Sequence, residues 1–249
     1  MRYFFSDKIE KDSLTSIITG SDVKHIKKVM RLKPGDKIGL LDGAGMEYKA
    51  KITAVTPYSI EVAIINSCRS ASESPLDVII AQGYLKDKKM DMIVRQVTEL
   101  GAKKWFPFFA DRSISRPNKN KLSKRIIRWQ KIAKESIKQC RRSKIPEIGC
   151  PLIFKDALKQ AVDCDLKIIF WEKELKFLDH EIADRYKGCS SVFIMLGPEG
   201  GFKDSEVEDA LDQGFISASL GPRILKAETA SIAASVLVQY LFGDMIKKY

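Results

Sequence analysis

Histidine is almost missing from this 249-residue chain, which has only His25 and His180. The five cysteines, Cys68, Cys140, Cys150, Cys164 and Cys189, form no CxxC pair. So few nitrogen and sulfur ligands assemble no structural zinc set. No metal is expected, and the thiols are expected to be reduced and buried as small apolar residues. Long apolar runs are also absent, so no segment reads as a membrane span. Met1 to Asp7 lacks the apolar region and cleavage site of a signal peptide, and a cytoplasmic location with no membrane partner is expected. The chain carries no GxGxxG after a strand, no GxxxxGK[ST], no HExxH and no GxSxG. Dinucleotide, nucleoside-triphosphate, zinc-protease and serine-hydrolase readings therefore have no local support. There is no internal repeat and no low-complexity tract.

What is present is an ordinary globular composition, 45% apolar, enough for one large domain or two smaller ones. The net charge is +11, from 43 basic and 32 acidic residues, and it is unevenly placed. Between Asp111 and Glu147 stand thirteen Lys/Arg against three Asp/Glu. Such a concentration is the footprint of a polyanion-binding face, because phosphate contacts draw affinity from released counterions. A solvated helix face rich in lysine would read the same way.

Residues 1–68 read as a small β-rich unit. Arg2–Phe5, Lys37–Leu41, Glu47–Val55 and Ser59–Ile65 are strand-like and are separated by Pro34-Gly35-Asp36, Asp42-Gly43-Ala44-Gly45 and Thr56-Pro57-Tyr58. Turn chemistry at such close spacing predicts a barrel or sandwich. One helix interrupts it. Ser21 or Asp22 is its candidate cap, Val23, Ile26, Val29 and Met30 form its apolar side, and Lys24, Lys27, Lys28 and Arg31 face outward. The serine-rich stretch 69–75, closed by Pro75, reads as a linker.

From 76 to 249 the rhythm becomes strand, helix, strand. Strands are expected over Leu76–Gln82, Lys103–Phe109, Leu166–Trp171, Val192–Leu196 and Phe215–Leu220. Helices are expected over Asp87–Leu100, Lys155–Val162, Leu178–Tyr186, Asp204–Leu211 and Ala227–Phe242. This alternation predicts an α/β domain with a parallel sheet. Ile126, Trp129, Ala133, Ile137 and Cys140 are spaced as one helical stripe, opposite Lys124, Arg128, Lys131, Lys138 and Arg142, so the helix has a core side and a basic side. Asp204 and Ser205 are candidate caps of their helix. The charge-poor last helix is expected to be buried against the sheet or a second copy of the chain.

Two apolar runs stop abruptly at glycine and proline. One is Val192–Leu196, followed by Gly197-Pro198-Glu199-Gly200-Gly201-Phe202; the other is Leu220-Gly221-Pro222-Arg223-Ile224-Leu225-Lys226-Ala227-Glu228-Thr229-Ala230. Glycines at the carboxyl ends of buried strands allow positive φ and close approach of a flat ligand. Leu196, Leu220, Ile224 and Leu225 would supply apolar walls. A pocket without a P-loop lysine suits an adenosine with an aliphatic tail better than a pyrophosphate.

These two motifs joined in order, together with Met1–Phe5, His25 through Val29-Met30-Arg31 to Gly35-Asp36, Lys86–Asp91 leading to Thr98-Glu99-Leu100-Gly101, Arg112-Ser113, Trp129 with Glu135, Gln139–Arg142 and Pro146, resemble the RsmE family of SPOUT-class ribosomal RNA methyltransferases along almost the whole length. Lys226 departs from the pattern, where arginine is more usual. The resemblance implies a PUA-like β-barrel, an α/β domain threaded as a trefoil knot, and S-adenosyl-L-methionine bound by loops after three strands. It further implies a homodimer with active sites drawn from both chains, and methylation of a uridine at N3 in the decoding region of 16S ribosomal RNA in the small subunit. Carried onto this chain, the cofactor loops are the residues after Trp171, Gly197–Gly201 and Leu220–Leu225. The binding candidates are Leu196, Gly197, Pro198, Glu199, Gly200, Gly201, Leu220, Gly221, Ile224 and Leu225.

Transfer to N3 needs a uridine turned out of its stack and stripped of its N3 proton. Arg112 and Arg223 are candidates to bind the uridine or its phosphate and favour the anion. Glu99, Glu199 or Glu228 would orient them or relay the proton; Arg112, Arg223 and Glu228 form the catalytic set. Arg2, Arg31, Arg112, Arg116, Lys121, Arg128, Arg141 and Arg142 are the RNA-binding candidates. Phe4, Phe5, Trp105, Phe106 and Trp171 could stack on bases but read better as core. Two other classes remain open on the sequence. A non-catalytic RNA-binding or ribosome-assembly factor leaves the glycine loops unexplained, and a basic small-molecule enzyme leaves 111–147 unexplained.

Overall fold

The computed structural model describes residues 1–6, 9, 14–86 and 88–246. It divides into two compact units, Met1–Glu73 with Lys134–Ile145, and Ser74–Ala133 with Pro146–Tyr249. Asp7, Asp87 and the last residues of the expected second domain, 247–249, lie outside the described residues.

The first unit is built on a five-stranded sheet. Its strands are β1 (Tyr3–Phe5), β2 (Thr15–Thr19), β3 (Lys37–Leu41), β4 (Met46–Val55) and β5 (Ser59–Arg69), in the order β1-β3-β4-β5-β2. β1 runs parallel to β3 and the other pairs are antiparallel. Register shifts at Lys49/Ala50 and Ile52/Ala54 interrupt the β4–β5 ladder, the kind of irregularity that bends a strand. Alternation puts Ile18, Ile38, Leu40, Ala50, Ile52, Ile60 and Val62 on one buried face, where Val23 and Ile26 cover them.

Those two residues belong to α1 (Ser21–Lys24) and to the π turn that continues it, His25–Val29. The sequence predicts a plain α-helix with Val29 inside; instead Val29 is 67% exposed. The Met30 N–H reaches the His25 carbonyl at 3.0 Å, five residues back, and the wider turn rotates the following side chains off the α-helical face. Gly20 precedes the helix, with no side chain capping it. The expected cap Asp22 instead accepts a hydrogen bond from Lys138 at 2.9 Å.

Residues 134–145, which the sequence places in the second domain, group with the first unit, and so do 69–73, read as linker. Arg69 ends β5, and the Glu73 carboxylate is held by four donors. Arg142 Nη2 and Nε donate to it at 3.0 and 3.3 Å, and the N–H groups of Ser143 and Lys144 at 2.6 and 2.8 Å. A segment fixed by a carboxylate so fully satisfied is not a free spacer. Ile137 packs with Phe5 and Leu41, and Lys134 lies over the Phe5 ring at 3.7 Å.

The second unit is a wholly parallel sheet. Its strands are β6 (Asp77–Gly83), β7 (Lys104–Phe109), β8 (Glu147–Ile148), β9 (Leu152–Ile153), β10 (Leu166–Phe170), β11 (Ser191–Leu196) and β12 (Ile216–Ala218). The order is β12-β10-β11-β6-β7-β8, with β9 also beside β7. The helices are α2 (Lys88–Glu99), α3 (Lys119–Cys140, in this unit through Ala133), α4 (Phe154–Lys159), α5 (His180–Arg185), α6 (Asp204–Asp212) and α7 (Ala227–Leu241). Phe106, Phe108, Phe154, Phe193, Phe202 and Phe215 fill one core. α6 begins after Lys203 rather than at a cap by Asp204 or Ser205. Buried Glu206 accepts from the N–H groups of Lys203 and Asp111, both at 2.9 Å, and burial pushes its carboxyl up against the pull of the Lys203 N–H. None of the five thiols is fully buried, against expectation: Cys140, Cys164 and Cys189 are half-buried, Cys68 is exposed among the last residues of β5, and Cys150 is exposed in the loop after β8.

Trp129 is fully buried, packs edge-on to Trp105 with centroids 5.2 Å apart, and donates from Nε1 to Asp91 at 3.1 Å. Trp129→Phe keeps a ring but loses the donor and part of the volume, so it should destabilise the chain by about 1–2 kcal/mol. A denaturant midpoint unchanged from wild type would contradict that role.

The buried side of α7 is partly polar. It carries Ser231, Ser235 and Gln239, four residues apart, beside Ala234 and Val238. Each polar group is satisfied: Ser231 donates to Gln82, Ser235 to the Ser231 carbonyl at 2.7 Å, and Gln239 to the Leu100 carbonyl at 3.0 Å. Val236 and Tyr240 are 39% and 43% exposed. Among the described residues no helix is long and apolar enough to cross a membrane.

Candidate active site

The parallel strands β10, β11 and β12 end together, and the chain leaves each through a loop. After β11, Gly197-Pro198-Glu199-Gly200-Gly201 makes a tight turn closed by the Gly201 N–H on the Pro198 carbonyl at 3.0 Å. Gly201 has φ +68°, and a Cβ there would stand 2.5 Å from a Glu172 carboxylate oxygen. On the next strand, a Cβ on Gly83 would lie 2.3 Å from the Pro198 nitrogen. The loop is thus seated at backbone contact distance, which only glycine permits.

The loops enclose a cavity of about 480 Å³, within the usual range for small-molecule sites. All ten residues expected to bind the cofactor line it: Leu196, Gly197, Pro198, Glu199, Gly200, Gly201, Leu220, Gly221, Ile224 and Leu225. Arg223 and Glu228 line it too. Glu172, in the expected loop after Trp171, lines it as well, whereas sequence reasoning did not single out Lys89, Phe170, Ser219, Ala227 or Ala230 as lining residues; these sit at strand ends and helix first turns, where nothing marks one residue from its neighbours. Trp171, offered as a core aromatic, is half-buried and lines the cavity, whereas Phe4, Phe5, Trp105 and Phe106 are buried as expected.

Charge is concentrated at one side. Lys89 Nζ lies 3.1 Å from Glu199 Oε1 and 3.7 Å from Glu228 Oε2. The hydrogen bond from Lys89 to Glu199 holds the ammonium above the ordinary lysine range. Burial pushes the Glu199 carboxyl up, but the Lys86 N–H and Lys89 outweigh it and hold it below its ordinary value. Glu228 Oε2 and Trp171 Nε1 are buried with no hydrogen-bond partner among the described residues. An apolar-walled cavity with glycine backbone on one side, a carboxylate oxygen that accepts no hydrogen bond and an unengaged indole donor fits a flat heterocycle whose tail carries positive charge. S-adenosylmethionine has that chemistry, and the residues present fit it.

The other expected site residues are placed differently. Arg112 is outside the cavity wall; its Nη1 donates to the carbonyls of Gly200 and Phe202 at 3.3 and 3.1 Å and braces the loop from behind. Glu99 ends α2, exposed and away from the cavity lining. Arg116 donates to the Ala110 carbonyl at 3.2 Å and lies over Phe109. Lys121, Lys124, Arg128 and Lys131 are all exposed and spaced 3, 4 and 3 along α3, one basic stripe, with Arg128 paired to Asp91 at 2.7 Å. In the first unit Arg2 and Arg31 are exposed, and Arg141, also exposed, stacks over Tyr3. Arg142 is a correction. It is 4% exposed and locked on Glu73, so its guanidinium cannot serve an RNA phosphate without stripping that carboxylate of its charged partner. Lys138, placed on the basic face, is likewise paired, with Asp22 and Glu135.

Comparison with known proteins agrees with this geometry. The RNA methyltransferase domain model matches residues 72–239 and the RNA methyltransferase PUA domain model residues 18–65. Ribosomal RNA small subunit methyltransferase E of Bacillus subtilis is 34% identical over 247 residues, covering 96% of each chain, and that of Buchnera aphidicola from Schizaphis graminum is 32% identical over 92% of this chain and 91% of its own. The crystal structure of the Neisseria gonorrhoeae protein of the same name, bound to S-adenosyl methionine, superposes with a TM-score of 0.89 at 28% identity, covering 99% of this chain and 100% of that one. A PUA domain followed by a glycine-looped α/β methyltransferase domain, matched along its length by such relatives, places this chain in the ribosomal RNA small subunit methyltransferase E family.

Proposed function

We propose that this protein is an S-adenosylmethionine-dependent methyltransferase that modifies N3 of a uridine in the decoding region of 16S ribosomal RNA. The observation that carries the reading is the single cavity formed where the loops Gly197–Gly201 and Leu220–Leu225 meet. The cofactor would be held by those loops, by Trp171 and by Glu228. When bound, it supplies an electrophilic methyl group and needs no metal beside it.

The task of the protein's own residues is to place the uridine and remove its N3 proton. Arg223 is exposed at the cavity, and no hydrogen bond or ion pair engages its guanidinium among the described residues. It is the group that holds the uridine or its phosphate and stabilises the N3 anion. Glu228 takes or relays the proton at Oε2, with Lys89 beside it. Arg112 acts one step back, holding the loop.

RNA delivery is assigned to the stripe Lys121, Lys124, Arg128 and Lys131, with Arg116, and in the PUA-like domain to Arg2, Arg31 and Arg141. The PUA-like domain takes in 1–73 and 134–145, and 74–133 with 146–249 carries the catalytic part, threaded as a trefoil knot and paired in a homodimer. The location is cytoplasmic, where small subunits are assembled.

Calorimetry with S-adenosylhomocysteine, joined to mass spectrometry of 16S nucleosides from cells lacking the protein, tests the reading. Micromolar binding and loss of N3-methyluridine support it. No binding favours a non-catalytic RNA-binding factor. Reversing Lys121 and Lys124 to glutamate should weaken ribosomal RNA binding roughly tenfold and reduce the salt slope by about 1 for each phosphate no longer neutralised. S-adenosylhomocysteine affinity should not move; an unchanged salt slope would remove the stripe from the RNA path.

A further inference from the structure

Gln82 occupies a position where an apolar residue would be the default. It lies near the carboxyl end of the central strand β6, fully buried, after Val78, Ile80 and Ala81, which are also buried. Its amide is nevertheless satisfied on both sides. Nε2 donates to the carbonyls of Gly83 and Gly197 at 3.1 and 3.2 Å. Oε1 accepts from Ser231 Oγ, one turn into α7.

The Gly197–Pro198 peptide has one polar atom, the Gly197 carbonyl oxygen, because proline brings no N–H. Gln82 engages that atom, and Gln82 is not part of the cavity wall. The side chain therefore sets the plane of the peptide on which the rest of the loop turns. Its other end is tied to the helix whose first turn supplies Ala227, Glu228 and Ala230 to the same cavity. One buried amide thus joins the Gly197 loop to α7, the two elements that have to be in register for a ligand to fit.

Resting on the cofactor reading above, we infer that Gln82 is a positioning residue of the cofactor pocket, acting through the Gly197 carbonyl and Ser231. Lys89 makes a second, outer tie between the same two elements through Glu199 and Glu228. The inner tie differs in being dry and neutral, so salt does not screen it.

The experiment measures S-adenosylhomocysteine affinity by calorimetry, well below the melting temperature, in wild type, Gln82→Met, Ser231→Ala and Val78→Ala. Val78 is buried on the same strand and touches neither loop tie, so it controls for lost stability alone. Gln82→Met is expected to weaken binding about tenfold, the scale of one lost buried hydrogen bond. Ser231→Ala should weaken it about threefold, and the double variant no more than Gln82→Met alone. Val78→Ala should lower the melting temperature and leave affinity within twofold. Gln82→Met binding within twofold of wild type, or Val78→Ala weakening it equally, overturns the inference. If Gln82→Met does not fold, Ser231→Ala decides, with wild-type affinity there counting against it. Failure of wild type to bind would instead overturn the cofactor reading.

Discussion

Gly83→Ala is expected to weaken S-adenosylhomocysteine binding by up to roughly a hundredfold, because overpacking strain of about 1–3 kcal/mol falls on the bound form of the loop and each 1.4 kcal/mol is tenfold. The added Cβ would lie 2.3 Å from the Pro198 nitrogen and 2.6 Å from the Gly197 carbonyl carbon. Both are backbone atoms of the loop, so no flexible side chain can swing aside. Either the loop moves outward into the cavity it frames or β6 moves away from β11, with which it pairs from Asp77 to Gln82. The loop is the softer of the two. Overpacking of this kind also costs about 1–3 kcal/mol of stability, which chemical denaturation would read. Gly188→Ala is the comparison: nothing stands within 4 Å of its would-be Cβ, and it is remote from the cavity lining. Its positive φ of +87° costs some stability but should leave binding alone. Wild-type affinity in Gly83→Ala would mean that the loop is not seated where the structure puts it.

The second large effect is on turnover. Arg223→Ala should slow methylation by roughly 10²–10³, the usual cost of removing one preorganised charge from a developing anion, while S-adenosylhomocysteine affinity stays within about threefold because backbone and apolar walls hold that ligand. Arg223→Lys should recover part of the rate only, since an ammonium keeps the charge but not the planar fork. Single-turnover rates with saturating cofactor make the measurement. If Arg223→Ala turns over like wild type, the anion is stabilised elsewhere, and Glu228→Gln becomes the next variant to assay.

Much of this was legible in the chain. The parallel sheet shows itself because buried strands are apolar runs that alternate with helical segments, as in Val192–Leu196, a continuous run that stops at Gly197-Pro198. The cavity is readable for the same reason: its ten expected residues are the punctuation after those runs, and all ten line it. What stayed hidden depends on partners remote in sequence. Gln82 looks like the polar end of a strand until Ser231, 149 residues later, is seen to donate to it. Arg142 reads as one more cation on a basic face, and only the Glu73 carboxylate, 69 residues upstream, withdraws it. Lys89 looks like any exposed lysine in a helix's first turn. β2 was missed because Thr15–Thr19 has only two inward residues, Ser16 and Ile18, and one of them is polar. β8 and β9, two residues each, carry no period at all.

The row of Ser231, Ser235 and Gln239 on α7 gives that helix an address rather than adhesive. A leucine-faced helix can slide by a turn and still bury oil against oil. This one cannot, because sliding would part Gln82 from Ser231 and Gln239 from the Leu100 carbonyl, stranding two amides in a dry interior. Filling the row with apolar side chains should therefore leave Gln82 and the Leu100 carbonyl without their donors and yield a chain that samples several settings of its last helix, with Glu228 no longer in one place. Efforts to harden this protein against heat would do well to leave that row untouched.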